Sequence, residues 1–218
     1  FNFNLLRKID QFPEKKYLKY FIKDFSDFNG IKKNWIVAQD RINLDGKIKL
    51  IKTHQGKYTI EGDSFTNNDN TLATIYIVRD PRNLVQSISN HYAKSLEDSC
   101  EFLIEPKIIG NGKNYENKQG GLFTLLGRWN EHYRSWTTNK NNLLLIKYED
   151  LIKNPKAQLE KTIDFLKKYL TFETDENKIN KILETTSFNN LKKLEKEGQF
   201  NENTQNKKDG GKVNFFHL

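Results

Sequence analysis

Thr74-Ile-Tyr-Ile-Val-Arg-Asp-Pro-Arg-Asn-Leu-Val-Gln-Ser-Ile-Ser-Asn-His-Tyr92 decides how this chain is read. It opens as an apolar, β-branched strand carrying Ile75, Ile77 and Val78, then breaks at Asp80-Pro81. Beyond the break, Leu84, Ile88 and Tyr92 recur at i, i+4, the spacing of one helix face. Pro81 suits the first helical turn, where its missing N–H leaves nothing unsatisfied. A strand, turn and helix in this order place Arg79 at the carboxyl end of a buried strand and Ser87 two turns along the helix. Ligands of open α/β sheets bind at that edge. A guanidinium there offers paired charged donors, and a serine hydroxyl adds another, a set suited to a phosphate. The same spacing also fits an arginine that caps a strand and a serine that faces solvent.

Outward from this segment, Lys47 to Thr53 alternates as a strand that ends in polar residues, and Asn142 to Lys147 reads as a fully buried strand. Upstream, helices are expected over Phe3 to Ile9, Pro13 to Phe25 and Trp35 to Ile42. Asp63 to Asn70 is a turn-rich loop, and Glu97 to Gly121 is poorly periodic, an insertion or mobile loop. A helix is expected over Leu122 to Trp136, and another from Pro155 with Leu159, Ile163 and Leu166 inward. Two more follow from about Thr174 and Ser187, and Gly198 to Gly211 reads as a polar, flexible loop. Strands followed by helices at this spacing predict one α/β domain over residues 1–218, a parallel β-sheet with helices on both faces.

The 218 residues suffice for one domain with a sizeable core. A hydrophobic fraction of 36% and an aromatic fraction of 12% argue for folding rather than disorder. The net charge of +8 comes from lysines spread along helices and interleaved with glutamate, as in Lys192-Lys-Leu-Glu-Lys-Glu197. These read as solvated faces, with a polyanion-binding surface as the alternative. The single cysteine, Cys100, excludes an internal disulfide and a multi-cysteine metal site, and fits a reduced, cytoplasmic setting. No run of apolar residues is long enough to span a membrane. With no methionine, Phe1 is not an ordinary translation start, and the chain stops at the apolar run Phe215-Phe-His-Leu218. The sequence therefore reads as an internal piece of a longer protein, with room upstream for a signal or anchor.

Three further groups carry chemistry. Lys52-Thr-His54 ends a strand, and a histidine there can serve as a general base near neutral pH or be an ordinary loop residue. Tyr148 leaves a strand where it can contact a nucleotide base, while Glu149 and Asp150 can cap or brace the next helix. Thr185-Thr-Ser-Phe188 enters a helix, with Phe188 placed either to stack on a purine or to pack in the core. No metal-ligand cluster stands out. Trp35, Phe65 and Tyr115 can line an apolar pocket or pack in core and loops.

In order and spacing these groups resemble the sulfotransferase family, whose sulfuryl donor is 3′-phosphoadenosine 5′-phosphosulfate (PAPS). The resemblance is carried by Lys52-Thr-His54, Ile77-Val-Arg-Asp-Pro-Arg-Asn-Leu-Val-Gln-Ser87 and Ile146-Lys-Tyr-Glu-Asp-Leu-Ile-Lys-Asn-Pro155. The helix Gln158 to Leu166 and Thr186-Ser-Phe-Asn-Asn-Leu-Lys-Lys-Leu-Glu195 complete it. It implies a three-layer fold related to the P-loop NTPases. It also implies that His54 takes the proton from an acceptor hydroxyl and that Lys52 positions the acceptor or the sulfuryl group. Arg79 and Ser87 would hold the donor's 3′-phosphate and Tyr148 the adenine. Thr186, Ser187, Phe188 and Leu191 would complete the nucleoside pocket. The product would be 3′-phosphoadenosine 5′-phosphate (PAP), the acceptor a small-molecule or carbohydrate hydroxyl or an amine, and no metal is required.

The family's 5′-phosphosulfate loop, a Pro-x-Ser-Gly-Thr-type turn at a helix N-terminus, has no match here and would precede Phe1. Its Gly-Asp-Trp segment would follow Leu218, since Gly210-Gly-Lys212 matches it poorly. On this reading residues 1–218 alone are not expected to turn over. The alternatives are a P-loop kinase, which would need Gly-x-x-x-x-Gly-Lys-Ser/Thr upstream, and a basic polyanion-binding module, although no nucleic-acid motif is present. The acceptor-binding loops, expected at residues 56–70 and 97–121, name no substrate, and the oligomeric state is open.

Overall fold

Strands and helices alternate through the computed structural model, which describes residues 9–110 and 122–199. In chain order they are β1 (Asp10–Gln11), α1 (Lys15–Leu18), α2 (Phe28–Lys33), α3 (Trp35–Asn43), β2 (Ile51–Lys52), β3 (Thr59–Ile60), β4 (Asp63–Ser64) and β5 (Thr74–Val78). Next come α4 (Pro81–Tyr92), α5 (Leu96–Ile104), β6 (Lys107–Ile109), β7 (Thr124–Gly127), α6 (Trp129–Thr137) and β8 (Leu143–Lys147). The last four helices are α7 (Tyr148–Lys153), α8 (Pro155–Leu166), α9 (Glu176–Thr185) and α10 (Phe188–Lys196). This is the expected α/β class. The described strands form four pairs: β1–β2, β3–β4, β5–β8 and β6–β7. The pair β1–β2 is parallel, whereas β3–β4 and β6–β7 are antiparallel.

The chain divides into two compact units. One comprises Ile9–Tyr76 and Phe102–Leu143. Its core gathers Phe12, Leu18, Ile31, Trp35, Ala38, Phe65, Leu122 and Trp136. Phe65 sits edge-on to Trp35 at 5.5 Å and to Trp136 at 6.3 Å, contacts worth about 0.5–1.5 kcal/mol each beyond area burial. Trp35 and Phe65 are therefore core residues; Tyr115 lies outside the described residues. Lys32 is also buried, and its ammonium meets Glu61 at 2.9 Å and Asp63 at 2.8 Å. A buried charge persists only when paired in this way, and the pairing ties α2 to the β3–β4 turn.

Several local expectations change in this unit. The helix expected over Pro13 to Phe25 stops after Leu18, whose carbonyl accepts from both Phe21 and Ile22. Asp24 then accepts from the Ser26 amide and hydroxyl, a local turn that competes with helix, and Asp27 caps α2. The strand expected from Lys47 shrinks to Ile51–Lys52, and the Lys49 ammonium upstream of it donates to the Ile42 carbonyl. Within the loops, β3 and β4 form a hairpin through Glu61 (φ 53°) and Gly62 (φ 89°), the left-handed pair that tight hairpins need. Part of the expected insertion is helix α5 and strand β6. Residues 122–136 are not one helix: Thr124–Gly127 is a strand on β6, ended by Gly127 at φ +66°, and α6 starts beyond it. The expected helix over Phe3 to Ile9 and the tail beyond Gln199 fall outside the described residues, apart from Ile9.

The second unit comprises Ile77–Glu101 and, among the described residues, 144–199. Along β8, Leu144 and Ile146 are buried while their neighbours are not, so this strand alternates rather than being fully buried. Ile163 and Phe165 supply the buried positions of α8. Its helix starts follow the sequence closely. Asp80, Asn154, Asp175 and Ser187 each accept a backbone N–H two or three residues on, from Arg82, Ala157, Lys178 and Asn190. Proline occupies the first turn of both α4 and α8.

Candidate active site

Arg79 follows the last residue of β5, and Asp80 turns the chain into α4. The Arg79 guanidinium lies over the Tyr148 ring, 4.6 Å from its centroid, and Tyr148 opens α7 directly after β8. Such a stack orients a guanidinium without neutralising it. Asp80, the adjacent acid, is committed elsewhere: its carboxylate caps the Arg82 amide at 2.9 Å and also binds the Arg82 guanidinium. Those bonds hold the Asp80 carboxyl down at about 2. Among the described residues no carboxylate pairs with Arg79, and its Nε is buried with no hydrogen-bond partner. Buried donors are nearly always satisfied, so the Arg79 Nε is an exception at the carboxyl end of β5.

Glu149 braces this turn. Its carboxylate accepts the Asp80 backbone N–H at 3.0 Å and an Asn83 amide N–H at 3.2 Å. The Asp80 amide bond lowers the Glu149 pKa, favouring the charged form. Ser87 is half-buried on α4.

The remaining nucleotide-pocket candidates lie at the α9–α10 junction and on the first turn of α10, in the same unit. Thr186 caps the C-terminus of α9, and its hydroxyl donates to the Ile182 carbonyl at 2.6 Å. Ser187 caps α10, accepting from the Asn190 amide at 3.4 Å. That bond uses an oxygen lone pair, so the O–H proton can still be donated. Phe188, under Lys192 at 5.7 Å, and Leu191 are half-buried on the first turn of α10.

Lys52 and His54 belong to the other unit. Lys52 ends β2 and is exposed, with its carbonyl accepting from Phe12 at 3.0 Å. His54 is exposed two residues on, and its carbonyl accepts from His132 Nε2 at 3.2 Å. His132 was not singled out in the sequence, although Trp129, His132, Tyr133 and Trp136 share one face of α6 and mark it as an inward surface. Its other nitrogen, Nδ1, lies 2.9 Å from the Tyr76 hydroxyl. Burial pushes its pKa down. Among the described residues no cluster of histidine, cysteine and carboxylate side chains could hold a metal ion. No helix there is long and apolar enough to cross a membrane.

Comparison with known proteins identifies the family. Residues 4–216 match the sulfotransferase domain, and the chain belongs to that family. It is 32% identical over 150 residues to sulfotransferase 2A2 of Rattus norvegicus, covering 66% of this chain and 46% of the relative. It is 28% identical over 146 residues to sulfotransferase 1 family member D1 of Mus musculus, covering 66% and 44%. The chain thus spans less than half the length of these curated relatives. Two solved structures share its fold. Mouse sulfotransferase SULT7A1, complexed with PAP, has a TM-score of 0.50 at 23% identity, with 70% of this chain and 51% of that chain covered. Retinol dehydratase, in complex with retinol and PAP, has a TM-score of 0.52 at 20% identity, with 79% and 46% covered. The shared fold is the α/β sulfotransferase fold.

Proposed function

We propose that the protein transfers a sulfuryl group from PAPS to a hydroxyl of a small-molecule acceptor, releasing PAP. The observation that carries this reading is Arg79, backed by the Tyr148 ring and left with a buried, unpartnered Nε at the carboxyl end of β5. A guanidinium so held offers its donor fork to a phosphate. Ser87 on α4 supplies a further donor to the same 3′-phosphate. Tyr148, Thr186, Ser187, Phe188 and Leu191 bound the adenosine, with Phe188 stacking on the base. Complexes of SULT7A1 and retinol dehydratase with PAP support this choice of nucleotide.

In the reaction the acceptor oxygen bonds to sulfur as the bond from sulfur to the phosphate oxygen breaks. His54 takes the acceptor's proton, and the 5′-phosphate of PAP leaves with the bond's electrons. Lys52 places positive charge beside the transferring group. Positioning and charge stabilisation carry most of such a transfer, as in phosphoryl transfer. The retinol bound by retinol dehydratase favours an apolar molecule with a single hydroxyl as acceptor.

The test uses the protein expressed from the full open reading frame that encodes residues 1–218. It is incubated with sulfur-labelled PAPS and a panel of phenols, steroids and long-chain alcohols. Labelled sulfate ester and PAP formed in equal amounts are the expected result. Phosphoryl transfer from ATP, or absence of both sulfuryl transfer and PAP binding, would overturn the reading.

A further inference from the structure

We infer that His132 is a positioning residue for His54, a role that rests on the reading of His54 as the base. A carbonyl oxygen only accepts, so the 3.2 Å contact between His132 Nε2 and the His54 carbonyl places the ring proton on Nε2. Nδ1 of the neutral ring then carries a lone pair and accepts the Tyr76 O–H at 2.9 Å. Both ring nitrogens are therefore engaged in one tautomer. Burial, which disfavours the imidazolium, keeps the ring in that state. The Tyr76 ring also stacks on the imidazole, with centroids 5.8 Å apart and planes 25° apart.

The grip extends one residue further. Trp136, one turn along α6, donates its indole N–H to the Gln55 carbonyl at 3.0 Å. One face of α6 thus holds two consecutive carbonyls, those of His54 and Gln55. On the far side, the buried Gln55 side chain accepts the Leu125 amide at 2.7 Å, and the Gly56 amide donates to the Leu125 carbonyl at 2.9 Å. The exposed His54 therefore springs from a backbone fixed on both flanks. A core packing role alone would not require a ring with both nitrogens aimed at named polar atoms. A base must be placed closely to work, because a displacement of about 1 Å can cost about 10²-fold in rate.

The test compares His132→Leu, which removes the donor, with His132→Gln, which keeps an amide N–H for the His54 carbonyl. Both are made in the protein from the full open reading frame. His132→Leu is expected to lower kcat about 10–100-fold with KM for PAPS and affinity for PAP unchanged. His132→Gln is expected to stay within a few-fold of wild type. Nitrogen NMR of the unliganded protein is expected to show a neutral, Nε2-protonated His132. The Gln55 amide and His54 ring signals should move in His132→Leu and hold in His132→Gln. Tyr76→Phe, a milder change, should lower kcat by less than His132→Leu.

Wild-type kcat in His132→Leu, equal losses in both variants, or PAP affinity falling in step with kcat would overturn the inference. A wild type that neither binds PAP nor transfers a sulfuryl group would overturn the donor-and-base reading instead. The NMR comparison would then still decide whether His132 sets the His54 segment.

Discussion

Arg79 and Tyr148 face each other at 4.6 Å, guanidinium over ring, and their chain neighbours are also joined, the Asp80 amide donating to the Glu149 carboxylate at 3.0 Å. Two successive residues at the end of one strand are thus matched to two at the end of another. The ring fixes the plane of the guanidinium, and the carboxylate fixes the peptide that follows it. Neither contact occupies the Arg79 donor fork, so the pairing aims the arginine without satisfying it.

Tyr148→Phe should therefore leave affinity for PAP close to wild type, because the ring beneath Arg79 remains. Tyr148→Leu should weaken PAP binding about 2- to 30-fold, the range of a guanidinium–ring contact of about 0.5–2 kcal/mol. Calorimetric titration of both variants decides the point. Equal losses would mean that the Tyr148 hydroxyl, and not the stack, carries the effect.

His54→Ala should reduce turnover about 10²- to 10⁴-fold, the range of general base catalysis, while affinity for PAP stays near wild type. Steady-state rates and nucleotide titration on the same preparation check both halves. Turnover that survives within a few-fold would remove His54 as the base.

The half-buried His132 gives folding an acid limb. Burial lowers its folded pKa, whereas the unfolded imidazole takes its proton near pH 6.5, at about 6.5 on the usual scale. As pH falls through that value the unfolded state binds more protons than the folded state, so stability falls. Urea midpoints at about pH 7.5 and about pH 5.5 should show this loss, and it should be smaller in His132→Gln. Tyr76 works at the other end: burial pushes its pKa up to about 12. Stability should therefore also decline as pH rises above about 10, where the unfolded phenol ionises first.

Gly127 carries two constraints at once. Its φ of +66° disfavours any side chain, and an added Cβ would lie 2.3 Å from the Tyr58 hydroxyl, which donates to the Leu126 carbonyl at 2.8 Å. Gly46 shares a φ of +64° but has open space. Gly46→Ala should cost about 1–2 kcal/mol from conformation alone, and Gly127→Ala clearly more. Urea unfolding of the two variants measures the difference, and equal costs would show that Tyr58 yields freely.

What the sequence disclosed was what neighbouring residues decide. Asp80-Pro81 and Asn154-Pro155 announce helix starts through a capping side chain and a fixed φ, and Asp175 and Ser187 do so by capping alone. The strand-end positions of Arg79 and Tyr148 were legible because Arg79 directly follows a short apolar run and Tyr148 follows another after Lys147. Strand β7 was not, because the Leu125 amide finds its partner in the Gln55 side chain, 70 residues away. The β3–β4 hairpin was hidden by Glu61, a residue that rarely adopts the left-handed φ it has here. His132 could be read as inward-facing from its helix face. Its partners, Tyr76 and the His54 carbonyl, lie 56 and 78 residues away, so its chemistry emerges only in three dimensions.

The most direct measurement is the affinity of wild type and Arg79→Ala for PAP and for 5′-AMP, which lacks the 3′-phosphate. Wild type should prefer PAP strongly. Arg79→Ala should weaken PAP binding about 30- to 150-fold, equivalent to about 2–3 kcal/mol for charge-assisted bonds to a phosphate, and leave 5′-AMP nearly unchanged. Equal losses for the two nucleotides, or no preference for PAP in wild type, would contradict the assignment of Arg79 to the 3′-phosphate.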